Sequence, residues 1–175
     1  MGRDKALIEI DGLPLAAVVS SALRAAGAER VLAVGGDEQA LRRLGLDVVP
    51  DDHPDEGPLG GVLTALGRAP TPVVAVLACD LPHARAAAVA AVVGALAGSA
   101  EADVAIPVVD GRRALVHAAW RRSAAPRLEA AFAGGERSLA GAVAGLRVLE
   151  VEGLDPVWLA DADVPGDLWR ATLDS

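Results

Sequence analysis

The chain has 175 residues (17.7 kDa), a formal charge of −8, and is 53% hydrophobic but only 2% aromatic. That length suits a single domain, residues 1–175, whose core is built from Ala, Val and Leu. The acidic balance argues against broad nucleic-acid or anionic-membrane binding, and no apolar run reaches the length of a membrane span. One cysteine excludes an internal disulfide framework and fits a reducing cytoplasm.

Lys5 is the only lysine, against fifteen arginines, and Asn is absent. That is the pattern of a GC-rich genome, which exchanges Lys for Arg. A position that stays Lys under such pressure is a candidate for needing a compact ammonium rather than a guanidinium fork, although one surface Lys can escape by chance.

In chain order, Met1-Gly2-Arg3-Asp4-Lys5-Ala6-Leu7 opens with charge and no preceding strand. Ile8-Glu9-Ile10 alternates briefly and Asp11-Gly12 signals a turn. A helix is expected from Leu13, with Pro14 in its first turn, Gly27 after its end, and Val18, Val19, Ala22 and Leu23 as its apolar stripe. Strands are predicted at Val31–Val34 and Val48-Val49, with a short helix from Glu38 to Leu44 between them. His53 to Pro58 is too polar and broken for regular structure. Leu59-Gly60-Gly61-Val62 then leads a helix to about Arg68. Gly60 and Gly61 at a helix entry have two readings: backbone N–H groups free to approach an anion, or tight helix–sheet contact.

Val73-Val74-Ala75-Val76-Leu77-Ala78 is an unbroken apolar run, as in a strand covered on both faces. It ends in Cys79-Asp80-Leu81-Pro82, and Pro82 forces the chain out of helical dihedrals there. Asp80 therefore stands at the carboxyl end of a strand, where ligands bind in open α/β sheets. It could cap the next helix or hold a Mg²⁺ ion on a phosphorylated substrate. Cys79, lacking a second cysteine, reads as a buried structural thiol.

Arg85 to Leu96 is expected to be a helix buried on most sides. Val104–Val109, a turn at Asp110-Gly111, and Leu115–Trp120 form a hairpin, an antiparallel element beside an otherwise parallel sheet. Helices follow at Pro126–Ala133 and near Ser138–Ala144, then strands at Arg147–Val151 and Val157–Ala160, and a last helix from Gly166 to Leu173. The alternation predicts a three-layer α/β fold with a mostly parallel sheet. Acidic strand ends at Asp51, Asp80 and Asp161/Asp163 would gather along one edge beside Arg3 and Lys5. Carboxylates for a divalent ion, with cations over phosphates, suit phosphoryl or nucleotidyl transfer.

Five segments carry a resemblance. Gly2-Arg3-Asp4-Lys5-Ala6-Leu7-Ile8-Glu9-Ile10-Asp11-Gly12-Leu13-Pro14-Leu15 resembles the segment after the phosphate loop in molybdenum cofactor guanylyltransferases, the MobA-like nucleotidyltransferases. Asp51 through Gly57-Pro58-Leu59-Gly60-Gly61, Ala78-Cys79-Asp80-Leu81-Pro82, and Gly135-Glu136-Arg137-Ser138 fit the same family in the same order. Asp161-Ala162-Asp163-Val164-Pro165 is similar to its closing segment, with Val164 where Thr is usual.

The resemblance implies a Rossmann-like, nucleotide-diphospho-sugar-transferase-type fold and Mg²⁺-dependent transfer of GMP from GTP to molybdopterin, releasing pyrophosphate. It implies that Lys5, with Arg3, contacts the nucleotide phosphates, that Asp51, Gly35, Gly60 and Gly61 lie at the nucleotide, and that Asp80 binds Mg²⁺. Arg137, Ser138 and Asp163 would line the molybdopterin half, where His117 could also face, though a core histidine is the expectation. Molybdoenzymes or cofactor-pathway proteins would be partners. Family members carry a strand and a Leu-Ala-Gly-Gly-x-Ser-x-Arg loop before this Met-Gly-x-Asp-Lys, so Met1 is expected to be an internal methionine of a longer protein. Only Ala33 or Gly35 stands where some relatives place a base-contacting Asn. A cytidylyl- or sugar-nucleotidyltransferase, or a binding protein without the loop, are the alternatives.

Overall fold

A short polar side chain turning back on its own backbone starts the structure. In the computed structural model, which describes residues 4–162, the Asp4 carboxylate accepts from the Ala6 N–H at 3.0 Å and caps a 3-10 turn over Lys5–Leu7. Two short strands, β1 (Glu9–Ile10) and β2 (Leu13–Pro14), then pair around Asp11 and Gly12. Both turn residues have positive φ (51° and 76°), as a type I′ hairpin requires. Pro14 ends this hairpin and precedes α1 (Leu15–Ala25), rather than lying inside the helix as its sequence context predicts. The hairpin holds the Leu13 and Pro14 backbone extended, so the helix starts two residues later than expected, at Leu15.

Strands and helices then alternate: β3 (Leu32–Val34), α2 (Glu38–Arg43), β4 (Asp47–Val49), α3 (Pro58–Arg68), β5 (Val73–Leu77), α4 (Ala86–Gly98), β6 (Val104–Val109), β7 (Arg112–Arg113), β8 (His117–Arg121), α5 (Ala125–Ala133), α6 (Leu139–Val143) and β9 (Val148–Val151). β3 and β4 pair in parallel. The remaining strands run in the order β5-β8-β6, with β9 parallel to β6 and β7 on its far end. β8 is antiparallel to both β5 and β6, so β5, β6 and β9 share one direction, with β8 and the two-residue β7 reversed. The hairpin read from the sequence exists, but its return strand inserts inside the sheet instead of lying beside it. His117–Arg121 is apolar enough for that central position, four of its five residues being buried.

Side-chain alternation builds the three layers. Val104, Ile106, Ala118 and Trp120 project to one side and pack with Leu59, Val62, Leu63 and Leu66 of α3, Leu128 of α5 and Leu139 of α6. Ala105 and Ala119 project to the other and meet Val92 and Leu96 of α4. Small residues on that side let α4 lie close to the sheet. The helix buries Ala88, Val89, Val92 and Leu96 and exposes Ala87, Ala90 and Ala97. It is therefore one-sided, not buried on most sides: alanine costs little in water, so an all-apolar sequence does not enforce all-round burial.

Two further expectations change. Val157–Ala160 is not a strand; Pro156–Leu159 form a 3-10 turn, because Asp155 accepts from the Val157 N–H at 3.0 Å and Pro156 presets the first position. The helix expected from Gly166 to Leu173 lies outside the described residues, as do Arg3 and Asp163. No helix among the described residues is long and apolar enough to cross a membrane.

Away from the strand ends, one buried carboxylate ties the layers together. Asp103, 1% exposed at the start of β6, accepts from the guanidinium groups of Arg127 and Arg147 and from the Arg147 N–H. Those bonds, with the Arg147 side chain foremost, hold its carboxyl at a pKa of about 2.

Candidate functional site

The carboxyl ends of the strands meet where the first turn of the chain lies. Asp4 Oδ2 accepts the Asp37 N–H at 3.0 Å, just beyond β3. The next residue, Lys5, reaches Asp80 beyond β5, with Nζ 3.1 Å from Oδ2. One short turn thus spans the ends of β3 and β5 and places the chain's single lysine against a strand-end carboxylate. The pair is open to ligands: the Lys5 side chain is 50% exposed and that of Asp80 15%. Asp80 does not cap the following helix, whose cap position is Arg85. Its backbone carbonyl accepts from Ala162 at 2.9 Å, bringing the Asp161 segment to the same edge.

Asp51 stands at the end of the neighbouring strand β4. Its Oδ1 accepts from the His53 N–H at 2.9 Å and from the Thr64 hydroxyl at 3.0 Å, so α3 fixes its rotamer. Gly35, at the end of β3 with φ +68°, packs against it; an added Cβ would lie 3.5 Å from Asp51 Cβ. Gly36 next door, at φ +80°, gives Asp4 its room, since a Cβ would meet Asp4 Oδ2 at 3.0 Å.

The two glycines at the start of α3 part company. At Gly60 a Cβ would come within 2.7 Å of His53 Cβ, so this position is needed for close packing. Its N–H donates to Gly57 O at 3.1 Å, and the Leu59 N–H to Arg137 O at 3.3 Å. Gly61 has nothing within 4 Å of an added Cβ and lines the adjacent cavity.

Arg137 and Ser138 are occupied by the protein itself. The Arg137 guanidinium pairs with Glu56 at 2.8 Å, donates to Phe132 O at 2.7 Å and stacks 3.9 Å from the centre of the Phe132 ring. That ring in turn lies 4.5 Å from His53. Ser138 caps α6, accepting from the Gly141 N–H, and donates to Glu136 Oε1 at 2.8 Å. The bonds from Ser138 lower the Glu136 pKa. His53, Phe132 and Asp4 were not read as functional from sequence. Only Asp4 carried a signal, an Asp two residues ahead of the amide it caps.

Cys79 is exposed, against the expectation of a buried thiol, because it lies two residues beyond the end of β5, in the turn. Desolvation, then the carboxylates of Asp80 and Asp4, push its pKa up, so it stays a thiol. His117 is the core residue expected: it is 0% exposed, neither ring nitrogen finds a hydrogen-bond partner among the described residues, and burial lowers its pKa to about 4. Among the described residues no three acidic, His or Cys side chains cluster as a metal cage.

Beside these strand ends opens a cavity of about 720 Å³, running between β3 and β5. Its walls are apolar, from Val19 and Val89 on one side to Val62 and Ala65 on the other, and Asp4, Gly35 and Asp51 stand at its carboxyl-end mouth.

Comparison with known proteins gives a consistent picture. The model of the MobA-like NTP transferase domain matches residues 1–151. The chain is 35% identical over 161 residues to a molybdenum cofactor guanylyltransferase of Burkholderia ambifaria, covering 86% of this chain and 78% of that protein. It is 35% identical over 144 residues to the protein of the same name from Serratia proteamaculans, covering 79% and 69%. Among solved structures it is similar to molybdopterin-guanine dinucleotide biosynthesis protein A from Archaeoglobus fulgidus, with TM-score 0.77, 23% identity, and 97% and 89% of the two chains covered. It also resembles 2-C-methyl-D-erythritol 4-phosphate cytidylyltransferase from Thermus thermophilus, with TM-score 0.73, 22% identity, and 95% and 91% covered.

Proposed function

Because the chain belongs to the MobA-like NTP transferase family, we propose that it moves GMP from GTP to molybdopterin. A molybdopterin phosphate oxygen attacks the α-phosphorus of GTP, the bond to the β-phosphate oxygen breaks, and pyrophosphate leaves. The observation that carries this reading is the meeting of Lys5 and Asp80, 75 residues apart in sequence, at the carboxyl edge of the strands. A cation over developing phosphate charge and a carboxylate for a metal are what such a transfer needs.

Asp80 would hold a Mg²⁺ ion, which neutralises phosphate charge when bound. One protein carboxylate without a preformed cage fits an ion that takes its other ligands from phosphate and water. Lys5 would turn from Asp80 toward the phosphates. Arg3 is assigned beside it from sequence alone. Asp51, held by Thr64, and Gly35 would contact the nucleotide, as would Gly60, Gly61 and Asp163 in the same reading. Arg137 and Ser138 would reach molybdopterin only by giving up the partners they now have. In this reading residues 1–175 act as one domain, in the cytoplasm.

Asp80→Ala is expected to abolish GTP-dependent pyrophosphate release while leaving the circular dichroism spectrum unchanged. Turnover retained in that variant would remove Asp80 from the reaction. The similarity to a cytidylyltransferase fold, and the Ala33 and Gly35 at the base position, favour testing CTP alongside. CTP outcompeting GTP would move the assignment to a cytidylyltransferase.

A further inference from the structure

Two loops far apart in sequence close on each other beside α3, and one histidine stands where they meet. His53 follows β4, whereas Phe132 belongs to the last turn of α5 and Arg137 to the loop after it. The rings of His53 and Phe132 lie 4.5 Å apart, tilted at 53°, a favoured arrangement for two ring systems. The same histidine presses on the α3 backbone: a Cβ added to Gly60 would come within 2.7 Å of His53 Cβ and 3.2 Å of its carbonyl oxygen. His53 is therefore held by two helices, although its neighbours Asp52 and Pro54 are exposed.

Arg137 fixes the ring on which His53 rests. Its guanidinium lies 3.9 Å from the Phe132 ring centre, where the ring face attracts a cation. It also donates to Phe132 O at 2.7 Å and to Glu136 O at 2.9 Å, and pairs with Glu56 at 2.8 Å. Glu56 belongs to the histidine's own loop, and its N–H donates to His53 O at 3.2 Å. That ion pair is half exposed and adds little stability by itself. What it does is tie the guanidinium, and with it the ring, to the loop that carries His53. The loop's other end is a carboxylate. The His53 N–H donates to Asp51 Oδ1 at 2.9 Å, the same oxygen that takes the Thr64 hydroxyl. Both donors share Oδ1, which leaves Oδ2 of Asp51 without a protein donor among the described residues.

We propose that His53 is a positioning residue for the nucleotide site: held by Phe132 and the Gly60 backbone, with Arg137 locking the ring, it sets the Asp51 carboxylate so that Oδ2 meets the ligand. This rests on the reading of Asp51 as a nucleotide contact. His53 touches no substrate in this scheme; it acts through Asp51. The aromatic ring at position 132 is the essential part. An aliphatic side chain of similar size would fill the space, yet offer Arg137 no face and His53 no ring to rest on. The loop assigned to the acceptor thereby also tunes the affinity for the nucleotide.

The test uses the full chain and three readouts: hydrogen exchange of the His53 amide by NMR, GTP binding by calorimetry, and pyrophosphate release with molybdopterin. Phe132→Leu is expected to speed exchange of the His53 amide and to weaken GTP binding, each roughly fivefold, raising KM for GTP while kcat stays unchanged. Phe132→Tyr, which keeps the ring, should restore all three. In an Asp51→Ala background Phe132→Leu should weaken GTP binding no further, because its effect passes through that carboxylate. Should Phe132→Leu not fold, Glu56→Gln, a change at an exposed position, is read in the same way. A His53 amide that exchanges as before overturns the proposal, and so does a loss of GTP affinity that adds to that of Asp51→Ala. Equal losses in Phe132→Tyr overturn it in favour of a general loosening of α5. A wild-type chain that binds no GTP overturns the nucleotide reading and the proposal with it, whereas a silent His53 amide in a chain that does bind GTP overturns the proposal alone.

Discussion

The strands that flank the cavity and the strands away from it are alike in sequence and unlike in burial. Ala-Val stretches form β3 and β5, and Ala-Val-Ile and Ala-Trp stretches form β6 and β8. Yet Val104, Ala105, Ile106, Ala118, Ala119 and Trp120 are all at 0% exposure, whereas every residue of β3 and β5 is half-open. Composition does not set this difference. Among the described residues it follows pairing: β6 and β8 are bonded on both edges, β3 and β5 on one. The region from β8 to β9 is thus the more tightly sealed part. The ligand-facing half has smaller apolar clusters, around Leu41 and Val48 and around Val19 and Leu81, with the polar contacts of the Asp4 and Asp51 loops added at its edge.

Mutations should separate the two halves. Trp120→Ala, in the sealed region, is expected to cost about 4 kcal/mol in urea denaturation, the usual loss for a fully buried large aromatic. A cost below about 1.5 kcal/mol would mean that this core is no tighter than the open half.

His117 offers the next largest effect, read through pH. Its folded pKa is lowered from 6.5 to about 4, so the unfolded chain binds the proton first. Stability is complete above about pH 6.5 and falls as pH drops toward 4, by roughly 3 kcal/mol in all. His117→Leu should flatten that part of the stability curve. A slope unchanged by the substitution would show that other groups produce it.

Asp103→Ala should cost about 3 kcal/mol at neutral pH, since two guanidinium groups and an N–H lose their shared acceptor. The sign of its titration is the usual one for a carboxylate: its contribution is full above the unfolded value of 3.8 and disappears as pH falls through about 2. A wild-type curve with no loss below pH 3.8 relative to Asp103→Ala would contradict the clamp. The smallest effect belongs to the open half. Val34→Ala, beside the cavity, should cost about 1 kcal/mol, because the side chain is already half-solvated.

How much of this was legible beforehand depended on range. Helices with Gly and Pro punctuation lay within two or three residues of their expected bounds, because caps and periodicity are local. The meeting of Lys5 with Asp80 was anticipated from strand ends and family likeness. The insertion of β8 between β5 and β6 was not, since a hairpin signal says which strands join and not which edge they join. Arg137 illustrates the same limit at the site: nothing in Gly-Glu-Arg-Ser reveals that Phe132 and Glu56 would claim the guanidinium. His53 and Gly60 are only seven residues apart, yet their contact depends on how α3 docks.

The Lys5–Asp80 pair also bears on the order of folding. Closing a loop of 75 residues costs on the order of 4 kcal/mol of chain entropy. An exposed ion pair returns about 1 kcal/mol at most. The pair therefore cannot gather its own ends; it forms once α1, β3 and β5 have already brought them together. Mutating either member should leave the folding rate untouched and act only on unfolding, so the charges that face the ligand are a late signature of a finished chain rather than part of its nucleus.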